Sequence, residues 1–285
     1  MMNTVAQSLR FAARTLGPHS ESPRLDAELL LGKVLGVTRS ALIARGMEPI
    51  AGDALHVYQS LIDRRVAGAP IAYLTGTREF WSLAVKVTPA VLVPRPETET
   101  LVELALERLP ADQERSILDL GTGSGAIALA IASERPRARV TGADISPAAL
   151  GVARDNSLAL ALPKVTWRLG SWFDAVPGER FDMVVANPPY VAASDPALEK
   201  LTAEPTLALS SGATGLEALT AIIETAAAHL ESSGWLLLEH GSNQDRDVAR
   251  LLLRHGFSGV RSHNDHSGTP RVTLGTIYSS HQEPS

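Results

Sequence analysis

The sequence predicts an α/β protein: a doubly wound, mostly parallel seven-stranded sheet with an antiparallel C-terminal strand, preceded by a small helical domain. Three observations carry that expectation. From residue 97 onward, short apolar β-rich runs alternate with amphipathic stretches of helical period, the pattern of right-handed crossovers in a parallel sheet. The first of these runs passes through a glycine-rich turn into a helix, in "ILDLGTGSGAIALAIA". The last two runs are only about nine residues apart, too few for a helical crossover, so they are expected to pair antiparallel.

Residues 1–70 read as a helical substrate-recognition domain, with helices at 4–16, 23–36, a short segment from Thr38, and 53–67. Val5, Leu9, Ala12, Ala13 and Leu16 recur at helical spacing and give the first helix its apolar face. Pro23 fits a first-turn position, and Gly36 and Gly68 fit helix ends. From Ile71 to Pro94 the period changes to two, with a hairpin of Thr77–Trp81 and Leu83–Thr88, so 71–94 is read as a β-hairpin linker. The third segment, 95–285, holds strands at 116–120, 138–143, 164–169, 181–186, 235–239, 257–261 and 271–277. Between them lie helices at 97–108, 124–134, 147–160, 215–231 and 243–255. The tail 279–285 is expected to fray.

Composition bounds the function. Of 285 residues, 45% are hydrophobic and 20% charged, a globular balance. The net charge of −5 gives no general grip on phosphate backbones, so no direct nucleic-acid requirement is expected. With no cysteine, the chain has no disulfide, no zinc–thiolate cluster and no thiol nucleophile, which suits a reducing, cytoplasmic setting. The longest clear apolar run, Ala126 to Ala132, is far too short for a membrane span. Arg10 and Arg14, without an acid in the first twenty residues, faintly echo a transit peptide, but the apolar face there reads better as a domain helix.

In the glycine turn, Gly121, Gly123 and Gly125 let the backbone turn tightly and approach a ligand over the strand end, with Thr122 and Ser124 between them. The same residues satisfy a dinucleotide pattern, and Asp144 lies 23 positions after Gly121, at the end of the next strand. A carboxylate there suits an adenosine ribose diol. NAD and S-adenosylmethionine both carry one, so the turn leaves an oxidoreductase and a methyltransferase open. A tight helix start that binds nothing is the bland alternative for the glycines, and an N-cap the bland alternative for Asp144. Ser146 before Pro147 is the better cap, which frees Asp144. Asp119 is read as orienting the loop or balancing a cationic ligand.

"VVANPPYVAA", residues 184–193, stops the fourth strand on Asn187, Pro188, Pro189 and Tyr190, on the carboxyl edge that also carries the glycine turn. Two consecutive prolines remove two backbone donors and fix φ. Residues before proline are pushed to extended geometry, so Asn187 and Pro188 are restricted before any ligand arrives. The Asn187 side-chain oxygen and the Pro188 carbonyl thus form a preorganised acceptor pair, suited to holding an NH2 group. Hydride transfer asks for a His, Lys or Tyr beside a carbonyl, and this corner supplies only Tyr190.

With "DLGTGSG" and "ADIS" upstream, "NPPY" is similar to the amino-methyltransferases of the S-adenosylmethionine-dependent superfamily, whose sheet is Rossmann-like. "PIAYLTGTREFWSL", "VLVPRPETE", "LLLEHG" and "RVTLG" further resemble the release-factor glutamine N5-methyltransferase family, over about residues 70–277. The resemblance implies S-adenosylmethionine held by Gly121 to Gly125, by Asp144 and by Trp172, with Asn187 bordering it. It implies that Asn187, Pro188, Pro189 and Tyr190 grip the glutamine amide of a Gly-Gly-Gln loop in a peptide-chain release factor; separately, the chain is expected to act as a monomer. Methylation of a ribosomal-protein glutamine or of a nucleic-acid amino group is the alternative within the superfamily. Two departures are visible. Ser171 stands where relatives have Asp before the tryptophan, and Leu201-Thr202-Ala203-Glu204-Pro205 lacks the Arg and Phe of the usual loop. His240 in "LLLEHG" is read as structural rather than catalytic.

Overall fold

The computed structural model describes residues 4–277, and the expected frayed tail lies outside them. The chain divides into two compact units, Met1–Thr77 and Arg78–Ser285.

The first unit is helical. Helix α1 (Val5–Leu16) starts at a capping box in which Thr4 Oγ1 accepts from Gln7 N–H and the Gln7 side chain accepts from Thr4 N–H. Helix α2 (Pro23–Leu35) has proline in its first turn and ends on Gly36 at φ +65°. Helices α3 (Arg39–Ala44) and α4 (Gly52–Val66) follow. Val5, Leu9, Ala12 and Leu16 pack with Leu30, Leu31, Tyr58 and Ile62 in one core, and Tyr58 Oη donates to the Ala27 carbonyl at 3.0 Å. Residues 71–75 correct the sequence expectation. The period-two reading began at Ile71, but Ile71–Thr75 is a short helix, α5, running from Pro70 to Gly76 at φ +85° and burying Ala72 and Leu74. A single turn is too short for periodicity to separate helix from strand.

The hairpin of β1 (Thr77–Phe80) and β2 (Leu83–Lys86) precedes a one-turn 3₁₀ helix, Pro96–Thr98, and α6 (Glu99–Arg108). Then come β3 (Ser116–Leu120), α7 (Ala126–Glu134), β4 (Arg139–Asp144), α8 (Pro147–Ala159), β5 (Thr166–Leu169) and β6 (Phe181–Ala186). The short α9 (Thr206–Leu209) and α10 (Glu217–Ala226) lead to β7 (Leu230–Glu239), α11 (Asp245–Arg254), β8 (Ser258–Asn264) and β9 (Pro270–Thr276). The seven strands lie in the order β5-β4-β3-β6-β7-β9-β8. β5 through β7 are parallel, and β9 runs antiparallel to both its neighbours, as the short final connection required. No helix among the described residues is long and apolar enough to cross a membrane.

Two boundaries moved furthest. The helix expected at 215–231 stops at Ala226, and β7 begins at Leu230 instead of 235. Leu230 pairs with Phe181, and a register shift between Phe181 and Met183 takes up the intervening Glu231–Gly234, a bulge that hydrophobic pattern does not reveal.

Close packing of β4 against β5 and the glycine turn is set by glycine. A Cβ on Gly142 of β4 would lie 2.4 Å from Trp167 Cζ3 and 2.9 Å from Thr122 Oγ1. Gly142→Ala is therefore expected to cost about 2 kcal/mol through overpacking and to lower the melting temperature by roughly 4–8 °C. Thermal denaturation followed by circular dichroism checks this, and an unchanged midpoint would show that Trp167 has room to retreat.

Candidate active site

Strand register builds the site. Leu120 lies level with Ala143 on one side and Ala186 on the other, and Asp144 is level with Leu169. Gly121, Asp144, Asn187 and Gly170 therefore leave the sheet side by side along one carboxyl edge. The switch point falls at β3, which has β4 on one flank and β6 on the other, where open α/β sheets bind ligands.

The glycine turn is locked from below. Asp119, fully buried, accepts from Thr122 Oγ1 at 2.5 Å and from Ala128 N–H at 3.2 Å through Oδ2, while Oδ1 has no partner among the described residues. Burial pushes its pKa up to about 7, against the two hydrogen bonds that favour the charge. Asp119 does not line the cavity above; it orients the loop. Thr122 N–H donates to the Ala143 carbonyl and Gly125 N–H to the Thr122 carbonyl. Gly121, Gly123 and Gly125 have φ of +69°, +55° and +81°, values that L side chains rarely adopt.

Asp144 spans the two loops. Its Oδ2 accepts from Gly123 N–H and its Oδ1 from Ser146 N–H, both at 2.8 Å. Ile145 N–H also favours the charged carboxylate, which still keeps acceptor capacity for a ligand. Burial raises its pKa, opposed by those backbone bonds. Ser146 caps α8 by accepting from Ala149 N–H, as its place before Pro147 foretold.

A cavity of about 340 Å³ opens over this edge. Gly121, Thr122, Gly123, Ser124, Asp144, Ser171, Trp172, Asn187 and Pro189 line it, with Thr98, Arg95 and several apolar side chains, Ile127, Ala149 and Leu207 among them. Trp172 adopts φ +46°, a rare conformation for a bulky residue, and its ring lies 3.4 Å from where a Gly121 Cβ would stand. Glycine at 121 thus leaves room for the indole as well as for a ligand.

Three of the expected site residues do not line this cavity. Gly125 does not line the cavity; a Cβ there would stand 2.8 Å from Trp167 Cη2, so its role in this fold is close helix–strand packing. Pro188 is buried, and Tyr190 packs against the apolar core. The Tyr190 hydroxyl donates to Glu239 Oε1 at 3.4 Å, its carbonyl accepts from Gln244 Nε2 at 3.1 Å, and burial beside Glu239 pushes its pKa up to about 12.

At the corner itself, Asn187 Nδ2 donates to Thr98 Oγ1 at 3.1 Å. Among the described residues no donor is bonded to Asn187 Oδ1 or to the Pro188 carbonyl. His240 is fully buried, with Nδ1 against the Gly241 carbonyl and Nε2 against Thr273 Oγ1, and does not reach the cavity. Thr98, Arg95 and Glu239 escaped residue-by-residue sequence reading, while Glu204 was noted only as part of the loop after Tyr190. The only signal for the first three was the wording of "VLVPRPETE" and "LLLEHG", because their partners are far away in the chain.

Comparison with known proteins supports one family. Residues 7–76 match the family described as PrmC N-terminal domain, and residues 97–268 that described as methyltransferase small domain. The release factor glutamine methyltransferase of Xylella fastidiosa is 49% identical over 88% of this chain and 92% of its own. That of Salmonella typhimurium is 48% identical over 90% and 93%. A methyltransferase structure from Pyrococcus furiosus superposes with a TM-score of 0.54 at 19% identity, over 78% of this chain and 98% of that one, which bears on the fold alone. The seven-stranded sheet, the glycine turn and NPPY corner on one edge, and these likenesses agree: the chain belongs to the release factor glutamine methyltransferase family.

Proposed function

We propose that this chain transfers a methyl group from S-adenosylmethionine to the side-chain amide nitrogen, N5, of the glutamine in the Gly-Gly-Gln motif of peptide-chain release factors. The observation that carries this reading is Asn187. It lines the same cavity as the glycine turn and Asp144, with its amide nitrogen committed to Thr98 and its oxygen unbonded among the described residues.

The cavity fits the methyl donor. The glycines admit close backbone approach, Asp144 keeps acceptor capacity for a ribose diol, and the Trp172 ring and Ile127 offer flat apolar surface. When bound, S-adenosylmethionine supplies an electrophilic methyl on a sulfonium. The protein's part is to present the nucleophile. A glutamine amide nitrogen is weakly nucleophilic because its lone pair is delocalised, so it must be oriented and its developing positive charge stabilised. Asn187 Oδ1 and the Pro188 carbonyl accept from the NH2 group and do both. Tyr190, tied to Glu239 and Gln244, anchors the corner. The methylated amide cation is a strong acid and gives its proton to water or to these acceptors, so no dedicated base is needed.

Among the described residues no His, Lys or Tyr lines the cavity, which disfavours the oxidoreductase reading, since hydride transfer needs such a partner for its carbonyl. The net charge of −5 disfavours a nucleic-acid substrate. The helical unit serves partner recognition, and the enzyme works in the cytoplasm as a monomer, without nucleic acid. Incubation of a release factor with the protein and isotopically labelled S-adenosylmethionine, followed by peptide mass spectrometry, is expected to place one methyl group on the Gly-Gly-Gln glutamine. Label on a ribosomal protein or an RNA instead, or tighter binding of NAD in a parallel titration, would overturn the assignment.

A further inference from the structure

A carboxamide offers an oxygen at one end and an NH2 at the other, and a half-turn exchanges them. Methyl transfer to an amide nitrogen, the reading on which this inference rests, needs only one of the two orientations of Asn187, with Oδ1 toward the substrate. Something must select it. Nδ2 donates to Thr98 Oγ1 at 3.1 Å, and Thr98, 3% exposed, therefore has to accept. Beside Thr98 lies Glu239, the last residue of β7 and 1% exposed. Its Oε1 accepts from the Tyr190 hydroxyl. Its Oε2 has no hydrogen bond of its own among the described residues, although the Thr98 hydroxyl stands close enough to favour the charged form.

We propose that Glu239 is a positioning residue for the methyl transfer, acting through Thr98 on Asn187 and directly on Tyr190. An ionised carboxylate only accepts. It accepts from the Tyr190 hydroxyl, and its open Oε2 attracts the nearby Thr98 hydroxyl hydrogen without a formed hydrogen bond, which leaves the Thr98 oxygen free to accept from Asn187 Nδ2. The polarity of the whole chain is then fixed from one end, and Asn187 Oδ1 is directed to the substrate. A carboxyl group buried at the end of "WLLLE", with an oxygen lacking a partner, is costly where leucine would pack. Setting the direction of this chain gives it a use.

The titration of Glu239 is shaped by every element around it. Burial pushes its pKa up to about 7, Thr98 and Arg271 of β9 pull it down, Glu97 raises it, and Tyr190 hydrogen-bonds the charged form. Arg95 is a further cation facing Tyr190. Protonation of Glu239 adds a donor to the chain and permits the reverse order, with Thr98 donating to Asn187 Oδ1. The rate should therefore fall as pH drops through about 7, the value set by Glu239.

Glu239→Gln tests this at constant shape, since its NH2 also permits the reverse order. In a release-factor methylation assay, kcat is expected to fall by at least about tenfold, with the cofactor KM within about twofold and the acid limb of the kcat profile gone. Thr98→Val should lose as much, Thr98→Ser should restore the rate, and the double variant Glu239→Gln/Thr98→Val should lose no more than either alone. Should Glu239→Gln fail to fold, the Thr98→Val and Thr98→Ser pair carries the same test. Wild-type rate and pH profile in Glu239→Gln, or additive losses in the double variant, would overturn this inference alone. Failure of the wild type to modify the release factor would overturn the functional reading and this inference with it.

Discussion

Asn187→Ala is expected to slow release-factor methylation by about 10²–10³-fold, the cost of removing one oriented hydrogen-bonding group from a charge-developing centre. Cofactor affinity should stay within roughly twofold, because the Asn187 oxygen serves the nucleophile and not the methyl donor. The reason lies in the corner's geometry. Asn187 follows Ala186 at the end of β6, level with Leu120 of β3, so its side chain is delivered to the cavity by the sheet and not by a mobile loop. Alanine removes the acceptor without disturbing Pro188 or Pro189, which hold the backbone. Steady-state kinetics with a release factor, together with calorimetric titration of S-adenosylmethionine, separate the two quantities. A rate near wild type would remove Asn187 from the chemistry, and a collapse in cofactor affinity would make it a cofactor ligand first.

Asp144 should give the opposite profile. Asp144→Ala is expected to weaken S-adenosylmethionine binding by about 100-fold, or roughly 3 kcal/mol, since it removes two charge-assisted hydrogen bonds to a diol. At saturating cofactor, kcat should drop far less. Asp144→Asn should be almost as damaging as alanine despite its shape. Its oxygens now accept from Gly123 N–H and Ser146 N–H, and an NH2 in either place sets donor against donor. Calorimetry on the two variants decides the matter, and unchanged affinity in both would leave Asp144 as a purely structural brace between the loops.

The sheet and its carboxyl-edge site were legible because each rests on local chemistry. Short apolar runs alternating with helices dictate a parallel sheet, glycines at positive φ mark the turn, and a double proline marks a stiff corner. What escaped was tertiary. Thr98 is 89 residues from Asn187, and Glu239 is 49 from Tyr190, so no periodicity joins them. Gly125 was read as a ligand-facing residue because its neighbours are, but only the packed structure reveals Trp167 against it. The early start of β7 was hidden by a bulge, and α5 by its brevity.

Glu204 ties the two irregular walls of the cavity together. It is buried, pairs with Arg95 and accepts from Val93 N–H at 3.0 Å. The chain leaving Tyr190 is fastened separately, by Val191 N–H to the Leu209 carbonyl, Ser211 N–H to the Val191 carbonyl and Ala193 N–H to the Gly212 carbonyl. Residues 194–203, with a 3₁₀ turn at Pro196–Lys200, span the gap between these two fixed points. Their length and composition can drift, as the missing Arg and Phe of this chain illustrate, while the cofactor's seat stays where it is. The fastenings at both ends thus separate the geometry of the cavity wall from the make-up of the span between them.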